Sequence, residues 1–350
     1  MKRIPHSRPT LGPGEARAAA RVVRSGLVAP GPEAEGFERE AARYIGLRHA
    51  AAVSSGTAAL ALALRAVGAG PDKEVIVPSY ARPAMIHAVR GTGAEPVLAD
   101  VYWHDGNLSV AQVRRRLTHR TAAVVAVHSF GAAAEIEPLV NLGVPVVEDL
   151  AQAFGAEDYN RRRLGTFGAA AVASFDAEAL LTSAGEGGMV LSDDRRVADA
   201  VRDLRADDKK LSASPFGDAQ MMDVQATVGR VQLRRLPSFL AARRRWAMKY
   251  REALKSFALE VPLPLFGRAY HRFVVRSRRP VTDALLARFE EKGIGIRRPI
   301  ERPLHWDVPE PGSFPVAERV WRRSLSLPIY PSLTEREFRR IVAAVRDMIG

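Results

Sequence analysis

Between His49 and Asp193, short runs of small and β-branched apolar residues alternate with helical stretches, and this alternation limits the fold more than any other feature. HAAAVSS, EVIVPS, EPVLADV and TAAVVAVHSFG read as strands, and VPVVEDLAQAFGA as a strand ending in acids. Between them, TAALALALRAVG, ARPAMIHAVRGTG and SVAQVRRRLTHR read as helices, the last with Val110, Val113 and Leu117 on one face. A short helix is expected around Ile136 to Asn141, and AAAVASF and GGMVLSD add two strands close together. Strands joined by helices imply a mainly parallel sheet covered on both faces, so the expected class is α/β.

From about Met221 the pattern changes. Val224 to Leu254 is a long helical stretch with an interruption expected at Pro237. RFVVRS, LLARFEEKGIGIRRPI and REFRRIVAAVRDMI then read as a strand, a helix and a final helix. The chain has 350 residues, too many for one minimal core. The expected division is a large domain at 1–240 and a smaller α+β domain at 241–350.

No apolar run reaches the ~20 residues of a membrane helix. The opening segment has basic residues without an apolar core behind them, so no signal peptide is read and a cytoplasmic location is expected. Cysteine is absent, which excludes disulfides, thiolate metal sites and a cysteine nucleophile. The eight histidines show no metal-ligand spacing. The formal net charge is +13, but the arginines fall in short clusters along the whole chain, with no zinc-finger or helix-turn-helix signature. That distribution argues against nucleic acid as a partner. It leaves solvated arginine-rich faces, or a pocket for phosphate-bearing ligands.

Three constellations carry chemistry. In SSGTAAL, Gly56 allows a tight turn between strand and helix, and Thr57 can cap the helix. Free N–H groups there attract an anion, although an ordinary capped helix start reads the same way. In VVEDLAQA, two acids end a buried strand where open α/β sheets bind ligands. Asp149 there can pair with a protonated ring nitrogen or cap the next helix. In SFDAEALLTSAGEGGMVL, glycines around Glu186 bring backbone close to a neighbour or reverse the chain.

In this order and spacing the chain resembles the DegT/StrS-type sugar aminotransferases, a fold-type I family that uses pyridoxal phosphate on nucleotide-linked keto sugars. The resemblance runs nearly end to end, through blocks such as EVIVPSYARPAMIHAVRGTGAEPVLADV and LGTFGAAAVASF and, later, YHRFVVR and SLSLPIYPSLTERE. It implies a fold-type I large domain and a smaller C-terminal domain. It places Gly56, Thr57 and Ser174 at the cofactor phosphate, Asp149 at the pyridine nitrogen and Gln152 near the ring hydroxyl. It also implies pyridoxal or pyridoxamine phosphate as cofactor, a nucleotide-sugar ligand and a homodimer with sites built from both chains.

Three residues depart from the family's pattern. The Schiff-base lysine position, five residues after Ser174, is Ala179, and no lysine occurs from Glu74 to Asp208. Lys209 and Lys210 lie outside the motif. Arg82 stands where an aromatic ring usually stacks on the cofactor, a role Tyr80 could shift to fill. Asp218 stands where an asparagine usually reaches the neighbouring subunit's cofactor phosphate; like charges ~4 Å apart repel by roughly 4 kcal/mol at an effective dielectric of 20.

Alanine cannot form an aldimine, release product by transimination or move a proton. The expected reading is a homologue that does not transaminate, which binds a nucleotide sugar or pairs with an active paralogue. The alternatives are an active enzyme carrying a deliberate lysine-to-alanine change, and a basic polyanion-binding protein on the same fold. Three coordinated changes favour natural divergence over a laboratory substitution.

Overall fold

The computed structural model describes residues 3–206, 218–308 and 312–349. Lys209 and Lys210 lie outside the described residues. Seven strands form the main sheet: β1 (His49–Val53), β2 (Glu74–Pro78), β3 (Glu95–Ala99), β4 (Thr121–Val127), β5 (Val146–Asp149), β6 (Ala170–Ser174) and β7 (Gly188–Ser192). Their order is β1-β7-β6-β5-β4-β2-β3. All contacts from β6 through β3 are parallel, whereas β7 opposes both β1 and β6. Six strands therefore point their carboxyl ends at one edge, and β7 enters from that edge.

The helices are α1 (Pro13–Ser25), α2 (Pro32–Ile45), α3 (Gly56–Ala66), α4 (Ala84–Gly91), α5 (Val110–Arg116), α6 (Ile136–Val140), α7 (Arg195–Leu204), α8 (Asp223–Leu254), α9 (Asp283–Glu291), α10 (Pro315–Arg323) and α11 (Glu335–Ile349). The two-residue period of a strand sends its side chains to two separate cores. From β6, Ala170 and Val172 join Leu60 and Val77 on one face, while Ala171 and Ala173 join Phe37 and Phe154 on the other. Helix α3 presents apolar residues on most sides because it is buried against the sheet. A second, antiparallel sheet has the order β10 (Ser324–Leu327), β9 (Phe273–Ser277), β8 (Leu259–Glu260). It shares a core with Tyr250, Phe289 and Ile341.

The mainly parallel α/β architecture agrees with the sequence reading, and four local expectations are corrected. Helix α8 is continuous from Asp223 to Leu254 and holds Pro237 inside it. Pro237 is on the exposed side, and the helix forgoes one backbone hydrogen bond there without ending. Helix α5 stops at Arg116, leaving Leu117 extended beyond it. Helix α9 ends at Glu291, before the Gly-Ile-Gly run, and β5 keeps only four residues of its expected segment.

Candidate functional site

The carboxyl ends of the strands open into a cleft lined by Gly56, Thr57, Arg82, Asp149, Gln152 and Ser174, six of the eight positions singled out from the sequence. Tyr80, Phe130, Asp176 and Glu186 complete its polar and aromatic wall. Ala179 and Asp218 are not among the described residues that line it. Ala179 is half-buried just outside, its N–H donating to the Asp176 carbonyl at 3.2 Å. Asp218 is exposed and accepts from the Gln220 backbone N–H at 3.2 Å.

Close packing explains the glycines here. A Cβ on Gly56 would lie 2.6 Å from the Ser174 Cβ, so only glycine lets α3 start against the end of β6. The helix cap is Ser55, whose Oγ accepts the Ala58 N–H at 3.1 Å; Thr57 is exposed in the first turn and is not the cap. Thr57 does face the cleft, with the N–H groups of that turn beside it.

The two acids of β5 part company. Glu148 is fully buried and receives four hydrogen bonds: from His128 Nε2 at 3.0 Å and, each at 2.8 Å, from the N–H groups of Gly165, Phe167 and Gly168. The Ala134 N–H donates to His128 Nδ1, which fixes the proton on Nε2. Burial alone would push the Glu148 carboxyl up, but His128 and the backbone donors outweigh it and hold it below the ordinary range. Asp149 turns into the cleft. Its Oδ1 accepts the Ala151 N–H at 2.8 Å, and burial raises its carboxyl despite that bond and the nearby Arg82 guanidinium.

Gln152 is held by the backbone: its Oε1 accepts the Phe130 N–H at 2.8 Å. Phe130 takes a left-handed backbone, φ 56°, rare for an aromatic residue. It stands edge-on to Tyr80 with ring centroids 6.3 Å apart. Tyr80 is buried beside the cleft, so an aromatic ring is present although position 82 is arginine.

The other end of the cleft holds a group that sequence reasoning missed. Asp176 Oδ2 accepts the Ser174 hydroxyl at 3.2 Å and lies 3.6 Å from Arg82 Nη1, while its Oδ1 accepts the Glu178 N–H at 2.7 Å. Burial and the Asp176 charge push the Glu186 carboxyl up, against the pull of Arg82. An adjoining cleft shares Arg82, Asp176 and Glu186 and adds Arg272, Arg297 and Arg298. There the Glu178 carboxylate receives Arg297 at 2.5 Å and Arg272 at 3.3 Å. The only signal for Asp176 was its place two residues after Ser174, and the Glu178 cluster had no local signal at all.

A phosphorylated pyridine cofactor meets two different ends. The ring end suits it, with Asp149 beside the expected ring position. The phosphate end does not: the Ser174 hydroxyl is already given to a carboxylate. The described lining residues include Asp149, Asp176 and Glu186 against the single guanidinium of Arg82, and no lysine amine. The residues present therefore do not fit the cofactor as a covalently held group.

Residues 9–346 match the DegT/DnrJ/EryC1/StrS aminotransferase family. The chain is 37% identical to the dTDP-3-amino-3,4,6-trideoxy-alpha-D-glucose transaminase of Streptomyces venezuelae, covering 94% of this chain and 90% of that protein. It is 32% identical to the spore coat polysaccharide biosynthesis protein SpsC of Bacillus subtilis, over 99% of this chain and 97% of that one. The crystal structure of the aminotransferase TlmJ from Streptoalloteichus hindustanus superposes with a TM-score of 0.91 at 33% identity, covering 98% of each chain. No helix among the described residues is long and apolar enough to cross a membrane.

Proposed function

Because the chain belongs to the DegT/DnrJ/EryC1/StrS aminotransferase family, we propose that it is a member that keeps the fold and the cleft but does not transaminate. The observation that carries this reading is Ala179 at the position the resemblance gives to the Schiff-base lysine, beside a cleft whose described lining has no amine to replace it. Its ligand is a nucleotide sugar, the class on which the dTDP-sugar relative acts by its name. Arg272, Arg297 and Arg298 in the adjoining cleft support that choice, since guanidinium forks match phosphate oxygens. The reading includes a cytoplasmic homodimer, or assembly with an active paralogue, divided into parts at 1–240 and 241–350. Asp218 keeps its expected place toward a neighbouring subunit.

The test is direct. The purified native chain is incubated with pyridoxal phosphate, a nucleotide-linked keto sugar and glutamate, and 2-oxoglutarate is followed. No release above a protein-free control is expected, and steady turnover overturns the reading. Calorimetry with a nucleoside diphosphate checks the ligand class: heat lost on Arg297→Ala supports it, and no heat from the native chain removes it.

A further inference from the structure

We propose that Asp176 makes the inner cleft refuse phosphate and accept an amine without phosphate, so that phosphate-bearing ligands are held only at the arginine-rich rim. The inference rests on the non-transaminating reading above and names a second group, besides the absent lysine, that sets what the cleft can hold.

The geometry is local and specific. A phosphate at the start of α3 needs the N–H groups of the first turn and the Ser174 hydroxyl. That hydroxyl already donates to Asp176 Oδ2 at 3.2 Å. The carboxylate is anchored, because its other oxygen holds the Glu178 N–H at 2.7 Å. Arg82, 3.6 Å from the same Asp176 oxygen, is the single guanidinium in a lining that carries three carboxylates. A dianion entering here would face Asp176, with Glu186 in the same lining, and like charges brought together in a cleft disfavour the ligand. A cationic amine meets the opposite field. The rim differs in its balance: Arg272 and Arg297 share the one carboxylate of Glu178, at 3.3 and 2.5 Å, while Arg298 beside them is paired with Asp283 at 2.5 Å.

The probes are pyridoxamine phosphate and pyridoxamine, which carry no aldehyde and so form no adduct with surface lysines. Their binding to the native chain, to Asp176→Asn and to the control Asp193→Asn, an exposed acid paired with Arg48, is measured by equilibrium dialysis. The native chain is expected to bind pyridoxamine phosphate no more tightly than pyridoxamine. Asp176→Asn is expected to tighten pyridoxamine phosphate at least about tenfold, with pyridoxamine changed by less than about twofold, and the gain shrinks as salt is raised. Asp193→Asn moves neither. If the asparagine variant unfolds, Asp176→Ser keeps a short acceptor for the Glu178 N–H and serves in its place. A native preference for the phosphorylated probe overturns the proposal. So does a variant that leaves that probe unchanged or tightens both equally. Turnover by the native chain would instead remove the non-transaminating reading, whatever these titrations give.

Discussion

Glu148 and Asp176 are both carboxylates near the carboxyl edge of the sheet, yet they live under opposite conditions. Glu148 and its partner His128 are each 0% exposed, and four donors converge on the acid. Asp176 is 16% exposed and its partner Arg82 52%, open to the cleft on one side. A buried acid of the first kind holds the Gly165–Gly168 turn and the end of β4 to β5. An acid of the second kind contributes little to folding and decides what enters the cleft. The difference shows that proximity to a site does not give a residue a role in it; the direction of its side chain and the completeness of its partners do.

The strongest way to break that comparison is Glu148→Ala. It strands His128 Nε2 and three N–H groups in a dry interior, and removing one partner of a buried pair costs about 3–5 kcal/mol. Urea denaturation should show a loss of this size; a loss under about 1 kcal/mol would mean the network is dispensable. The pH dependence follows from the lowered carboxyl. A carboxyl held below its unfolded value contributes stability above that value, about 4.3, and loses it as pH falls through the folded one. Native stability should therefore fall on acidification below about pH 4, and Glu148→Gln should flatten that part of the profile.

Next in size is Gly188→Ala. A Cβ there would lie 2.2 Å from the Ser55 carbonyl oxygen, so β7 and the start of α3 must separate. Overpacking of this kind costs about 1–3 kcal/mol, read as a lower thermal midpoint. It also tests whether the cleft wall tolerates movement: an unchanged midpoint would mean that α3 can shift without cost.

A smaller effect of opposite sign is expected at Asp149. Burial raises its carboxyl, so the charged form is disfavoured in the folded chain. The penalty is present when pH lies above the unfolded value, about 3.9, and disappears below it. Asp149→Asn keeps an acceptor for the Ala151 N–H and should stabilise the chain at neutral pH by less than the two losses above, with the gain vanishing in acid. Destabilisation at neutral pH would mean the carboxylate has a partner that outweighs its burial.

Much of this was legible in the sequence, for physical reasons. Strands such as EVIVPS announce themselves through β-branched runs, and the glycine at position 56 reports a close approach that only glycine permits. The place of Asp149 followed from its position at the carboxyl end of a buried strand, whereas those of Gln152 and Ser174 were implied by the family resemblance. The rest depended on partners far away in the chain. Glu148 and Asp149 were read together as strand-ending acids, but the two-residue period sends them to opposite faces. Pro237 looked like a break, yet its exposed place let α8 continue. Asp176 has a distant partner as well as local ones: Arg82, which arrives from the loop after β2.

The smallest expected effect sharpens the comparison most. Arg82→Ala removes the partner of Asp176, as Glu148→Ala removes the partner of His128. An ion pair with one half-exposed side chain contributes about 0–1 kcal/mol, because water screens it and holding a long side chain costs entropy. The thermal midpoint should hardly move. The cleft should change nonetheless: Arg82 pulls the carboxyls of Asp149 and Glu186 down, so its loss should raise both. Carbon-detected titration of labelled aspartate and glutamate side chains would report that shift. If Arg82→Ala costs as much stability as Glu148→Ala, the Asp176 pair is part of the fold and the distinction between interior and rim fails. If the midpoint holds while both carboxyls rise, the pair belongs to the cleft's electrostatics alone, and the field a ligand meets there is set by side chains the fold does not need.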